Sequence, residues 1–208
     1  DSIAWVNLRS GANFVEDGSP FLGDGHTESE GALVEPESLY VRQLKDRFQR
    51  EGLGEYDLGF TRLDAAADTY ADSQTPGVAY GSGEELRLAS LSASNKEAFL
   101  KFNLSSIVKP ISKATLRIHT GQTASHSAAV YQVGSDAWTE TGLTWSNKPS
   151  TGSKLGTVQL ARTGPGWYEL DVTDYIRFQQ TGNSLASLAI KLEEASAETV
   201  LGSKESLL

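Results

Sequence analysis

From Ala65 onward, apolar and polar residues alternate in short runs broken by Gly, Ser and Asn. In 113–119, Ala114, Leu116 and Ile118 fall on one side and Lys113, Thr115, Arg117 and His119 on the other. That period of two is what a half-buried strand requires. The same split sets Leu86 and Leu88 against Arg87, Leu100 and Phe102 against Phe99 and Lys101, and Ile190 and Leu192 against Lys191. Such runs predict strands at 66–70, 84–89, 97–104, 113–120, 128–133, 143–146, 155–160, 167–172, 186–193 and 198–203. One short helix is predicted at 174–180, with Asp174 as its cap. Short strands at this spacing with a single helix predict an all-β sandwich.

Before residue 65 the pattern differs. Ile3-Ala4-Trp5-Val6 and Ala12-Asn13-Phe14-Val15 are two short apolar patches that read as strands, followed by a loop from Glu16 to Glu35. A helix is predicted over about 36–50, with Pro36 in its first turn, Leu39, Tyr40, Leu44 and Phe48 as an apolar stripe, and Gly52 beyond its end. A helix of this kind covers a neighbouring surface, either the β-domain or residues 1–35. Its stripe is too narrow for a membrane-surface helix. The chain therefore divides into an N-terminal extension, 1–64, containing one amphipathic helix, and a β-sandwich, 65–208.

Charge sharpens that division. Residues 1–64 hold six basic and thirteen acidic side chains, against twelve and fourteen in 65–208, so most of the net charge of −9 belongs to the extension. Neither part carries the clustered Lys and Arg that a nucleic-acid surface needs. With no cysteine, disulfides and thiolate metal sites are excluded. No apolar run approaches the ~20 residues of a membrane helix. The opening residues Asp1-Ser2-Ile3 read as those of a processed or excised piece, and the composition suits a secreted bacterial protein.

Two of the four tryptophans lie in Asp136-Ala137-Trp138-Thr139-Glu140-Thr141-Gly142-Leu143-Thr144-Trp145-Ser146-Asn147-Lys148-Pro149. Together with N-x-E-A-x-L-x-F-x-L at 95–104, the A-T-L-R strand at 114–117, and W-Y-x-x-D-V-T at 167–173, this order of motifs resembles the DNRLRE-type, disaggregatase-related domain. That family overlaps carbohydrate-binding module family 96, and the resemblance runs from about Ala65 to Ser206. Relatives usually carry Arg before the Glu of the first motif; Lys96 keeps the charge and loses the fork geometry. The resemblance implies a jelly-roll β-sandwich that binds polysaccharide. Within the extension, Ser-Leu-Tyr-x-x-Gln-Leu-x-x-Arg at 38–47 resembles the C-terminal helix of some secreted parallel β-helix polysaccharide lyases, which would make 1–64 the tail of an upstream catalytic module.

The chemistry-bearing residues fit a binding role better than a catalytic one. There are only three histidines, no G-x-S-x-G elbow, and carboxylate pairs such as Glu84/Glu85 alternate across a strand. No catalytic residue is assigned. Jelly-roll carbohydrate modules commonly hold a structural Ca²⁺ near their termini, for which Asp68, Asp72, Asp171 and Glu205 are the candidates, with Asp174 as a weaker one. Arg87, Lys101, Arg117, His119 and Lys191 form an outward basic set, and Phe99 shares a face with Lys101. If they lie on one sheet they make a stripe suited to a uronic-acid polysaccharide such as alginate, with Phe99 under a sugar ring. The plain alternative is a solvated strand exterior. Trp138, Trp145 and Trp167 are either core or stacking platforms.

The resulting expectation is a monomeric, non-catalytic carbohydrate-binding module at the C-terminus of a secreted enzyme that degrades polysaccharide, a lyase. Two other readings stand beside it. The chain is otherwise a lyase fragment contributing to an active site, or a structural or adhesion module with no glycan affinity.

Overall fold

The computed structural model describes residues 3–10, 58–120, 126–160 and 166–206, with side chains from Thr61 onward. The predicted helix at 36–50 and the patch at 12–15 lie outside the described residues. Among the described residues, eleven strands and one helix follow in order: β1 (Ile3–Ser10), β2 (Leu58–Asp64), β3 (Ala67–Asp72), β4 (Glu85–Leu91), β5 (Ser94–Asn103), β6 (Ile111–Thr120), β7 (His126–Val133), β8 (Thr151–Leu160), β9 (Gly166–Asp171), the helix α1 (Thr173–Thr181), β10 (Leu185–Leu192) and β11 (Ser196–Gly202).

They form the expected all-β sandwich. A four-stranded sheet runs β2-β1-β6-β9, and a seven-stranded sheet runs β11-β4-β5-β10-β7-β8, with β3 also paired to β5. β1 lies between β2 and β6, parallel to both, so residues 3–10 and 58–64 of the extension share the sheet of the β-domain. Thr120 at the end of β6 donates its hydroxyl to the Val200 carbonyl of β11 at 2.8 Å, joining the two sheets at one edge.

Alternation explains the core. Leu116 and Ile118 of β6 and Tyr168 of β9 face Leu86, Leu88, Leu100, Phe102, Val130, Leu188 and Ile190 of the larger sheet, all buried. Each such side chain removed from water contributes on the order of 1.5–3 kcal/mol. The helix closes one end. Tyr175 and Ile176 are its buried residues, and the Tyr175 hydroxyl donates to the Ser187 carbonyl at 2.7 Å. Arg177 Nε donates to the Ile111 carbonyl at 2.6 Å, and Gln180 Nε2 to those of Ile107 and Lys109 at 2.9 and 2.8 Å.

Two local expectations change. Asp174 does not cap the helix: the N-cap position is Val172, with no side-chain cap, and Asp174 is exposed in the first turn, while Asp171 Oδ1, just before the helix, accepts the Thr173 N–H at 2.9 Å. Residues 143–146 are irregular chain running into a turn at 145–147, and not a strand. The Asn147 side chain accepts the Thr144 N–H at 2.7 Å and donates to the Gly142 carbonyl at 2.9 Å, capturing the backbone that a strand ladder would need.

Candidate functional site

The segment between β7 and β8 folds back over the outer face of the seven-stranded sheet. Trp138, 8% exposed, meets the Phe99 ring edge-on with centroids 6.3 Å apart, and its Nε1–H donates to Ser187 Oγ at 3.2 Å. Ala67, Ala71, Val133, Leu143 and Ala189 complete this second apolar layer, with Trp145 packed at its rim. The segment is fastened at several points. Lys101 Nζ donates to the Asp136 carbonyl at 2.8 Å and to that of Trp138, and Ser146 N–H donates to the Pro76 carbonyl at 2.9 Å. Trp138 is thus core, and Trp145 remains half-buried.

Beside this cover, polar groups gather around Glu97 of β5. Its two carboxylate oxygens each meet a lysine: Lys148 Nζ at 2.7 Å and Lys191 Nζ, from β10, at 3.3 Å. The register brings this about, since Lys191 and Glu97 lie directly beyond Ile190 and Ala98, the last pair at that end of the β5/β10 ladder. Each ammonium also lies against an aromatic ring, Lys148 4.2 Å from the centroid of Trp145 and Lys191 5.5 Å from that of Tyr131. Lys191 donates to Thr151 Oγ1 at 3.2 Å as well. Farther along, Lys154 pairs with Glu193, and hydrogen bonds from Lys154 and Thr157 hold that carboxyl below the usual carboxylate range. Three lysines therefore share two carboxylates on one half-exposed face, and two of the three ammonium groups lie against aromatic rings.

The six ligand residues expected from the sequence are not brought together. Arg87, Phe99, Lys101 and Lys191 belong to the seven-stranded sheet, whereas Arg117 and His119 lie on β6 in the four-stranded sheet, so no single stripe joins them. Phe99 is fully buried beneath Trp138 and offers no face to a sugar. Lys101 is spent on loop carbonyls, and burial lowers its ammonium pKa. His119 is 3% exposed, its ring centroid 5.0 Å from that of Trp167, and burial pushes its imidazole below the ordinary value. Arg117 lies 4.9 Å from the Trp167 ring centroid and 3.1 Å from Glu169. Arg87 pairs with Glu85 at 2.8 Å and Glu198 at 2.9 Å beside an open cleft of about 430 Å³ that Tyr70 and Tyr80 also line. Lys191 alone of the six sits in the Glu97 cluster. Lys148 and Glu97, which the sequence reading did not single out, were signalled by the Glu of the first motif and the N-x-P end of the third.

The four metal candidates also divide. Asp72 accepts the Gln74 N–H at 2.9 Å and lies 3.7 Å from Lys96, and Asp171 accepts the Thr173 N–H, so both serve nearby backbone N–H groups. Asp68 and Glu205 converge, and they are joined by Glu140, a residue absent from the expected set: one oxygen from each carboxylate lies within 4.8 Å of the others. Asp68 is 1% exposed, and burial, with the Glu205 charge adding to it, pushes its carboxyl up to about 7. Lys204 Nζ meets Glu140 Oε2 at 2.9 Å and Glu205 Oε1 at 2.7 Å. Burial works against that ammonium, but its hydrogen bonds to Glu205 and Glu140 more than offset it and hold its pKa above the ordinary lysine value.

Among the described residues no helix is long and apolar enough to cross a membrane. A search of curated proteins finds no match to the chain. The profile of carbohydrate-binding module family 96 matches residues 59–207, from β2 through the end of β11 and across both sheets. A match over most of the sequence, on the motifs that build the β5 strand and the loop covering it, settles the family: the chain belongs to carbohydrate-binding module family 96.

Proposed function

We propose that this module holds an anionic, uronic-acid polysaccharide such as alginate on the outer face of the seven-stranded sheet, as the non-catalytic, C-terminal part of a secreted polysaccharide-degrading enzyme, a lyase. The observation that carries the reading is the pair of lysines, Lys148 and Lys191, each seated against an aromatic ring and both turned onto Glu97. Lysines outnumber carboxylates in this cluster once Lys154 and Glu193 are included. A uronate entering the face exchanges its carboxylate for Glu97 or Glu193 at an ammonium, and its hydroxyls take up the carboxylate oxygens so released. Half-buried Trp145 and Tyr131 present apolar ring surface to the C–H face of a sugar. Lys148 and Lys191 are already held by Glu97 and by the rings, which limits the entropy lost on binding.

The test is affinity electrophoresis or calorimetry of the protein on alginate, pectate and a neutral glucan, for wild type, Lys148→Ala, Lys191→Ala and the double variant. The expected result is binding of the uronate polymers that weakens as salt rises and falls at least tenfold in the double variant. Undiminished binding by the double variant, or equal affinity for the neutral glucan, overturns the reading. Release of unsaturated uronate by the protein alone would instead favour a lyase fragment that completes an active site.

A further inference from the structure

Asp68 Oδ1 and Glu205 Oε2 are buried oxygens with no hydrogen-bond partner. Both belong to the cluster in which Asp68, Glu140 and Glu205 each place one oxygen within 4.8 Å of the others. Ionised carboxylates only accept, so oxygens facing one another out of water need a proton or a cation between them. Three of the other oxygens are already used: Asp68 Oδ2 accepts the Lys204 N–H at 2.7 Å, Glu140 Oε2 accepts the Asp68 N–H at 3.3 Å, and Lys204 Nζ takes Glu140 Oε2 and Glu205 Oε1. Those contacts aim the two unpartnered oxygens inward. Three carboxylates against one ammonium leave a net charge that one dication neutralises.

We propose that Asp68, Glu140 and Glu205 bind one Ca²⁺. Calcium takes oxygen ligands in irregular arrangements at ~2.4 Å, so oxygens on opposite sides of the ion stand ~4.8 Å apart, the spacing that bounds this cluster. The ion ties together three distant parts of the chain: the start of β3, the loop whose Trp138 covers the outer face, and the tail after β11. Gly81 keeps that junction tight, because a Cβ there would stand 2.1 Å from the Glu140 carbonyl oxygen. The site fastens the cover and performs no chemistry on a substrate, and it stands independently of the glycan reading.

The experiment is titration of chelator-treated protein with CaCl₂ by calorimetry, alongside thermal unfolding in Ca²⁺ and in EDTA, for wild type, Asp68→Asn, Glu205→Gln and Lys204→Ala. Wild type is expected to bind one Ca²⁺ per chain and to gain about 5–10 °C in Tm when free Ca²⁺ is 100 times its Kd. Asp68→Asn and Glu205→Gln lose that gain, while in EDTA they are at least as stable as wild type because facing like charges are gone. Lys204→Ala is less stable in EDTA and is rescued by Ca²⁺. The proposal is overturned by absence of binding heat and of any Tm change in wild type, by an unaltered response in Glu205→Gln, or by a response to Mg²⁺ but not to Ca²⁺.

Discussion

Replacing Lys101 with Ala separates a structural tether from a ligand contact. Lys101 Nζ donates to the carbonyls of Asp136 and Trp138 and lies 4.3 Å from the Trp138 ring centroid. Hydrogen bonds from a charged donor contribute ~1.5–3 kcal/mol, and a partly desolvated cation on an indole ~0.5–2 kcal/mol. Against this stands the cost of withdrawing the ammonium from water, which its lowered pKa records. The net expectation is a loss of ~2–4 kcal/mol, because the two carbonyls are also left without their donor. For a domain of this size 1 kcal/mol corresponds to ~2–4 °C, so Tm should fall by about 5–15 °C. Near-UV circular dichroism should register the loosened Trp138. The assay is thermal and guanidinium unfolding of Lys101→Ala, with Lys101→Met as a variant that keeps the stem. An unchanged Tm together with lost affinity for alginate would refute the tether and return Lys101 to the ligand set.

Two further outcomes follow from buried groups. Gly81→Ala should cost ~1–3 kcal/mol, read as a drop of several degrees in Tm, because its Cβ meets the Glu140 backbone at 2.1 Å and neither side is a flexible side chain; stability equal to wild type would mean that the turn does not press on the loop. His119 is held below its ordinary pKa by burial, so the unfolded chain binds a proton more readily than the folded one. Its contribution is complete above the unfolded value of ~6.5 and is lost as pH falls from there toward the lower folded pKa. Between pH 7 and pH 5 wild type should therefore lose more stability than His119→Gln in paired denaturant titrations, and parallel curves would remove the assignment.

The sequence by itself determined the strands and their inward residues. Leu116 and Ile118 point to the core because their neighbours Thr115 and Arg117 cannot be buried cheaply without partners, and an alternating pattern admits one orientation at a time. It determined the family too, since Asn147, Glu97 and Trp138 are motif residues whose contacts build the loop and its floor. Parity, however, says which side of a strand a residue takes and not which sheet the strand joins. For that reason Arg117 and His119, matched to Lys101 by alternation, stand on the other sheet. Nor does alternation reveal what lies above a face. Phe99 reads as outward, and a segment some way along the chain covers it.

Only the tertiary structure decided the two charged clusters. Asp68 and Glu140 are 72 residues apart, and Lys191 meets Glu97 only because β5 and β10 become neighbours, so no local pattern links them. Asp72 and Asp171 looked equivalent to Asp68 in sequence, yet short carboxylates near a turn are readily taken by the next backbone N–H, as Gln74 and Thr173 take these. Asp68 is instead met by the tail after β11, whose Lys204 N–H it accepts at 2.7 Å and whose Glu205 stands beside its other oxygen. Local hydrogen bonding competes within a few residues and can be read from them, whereas the meeting of charges depends on which strands become neighbours.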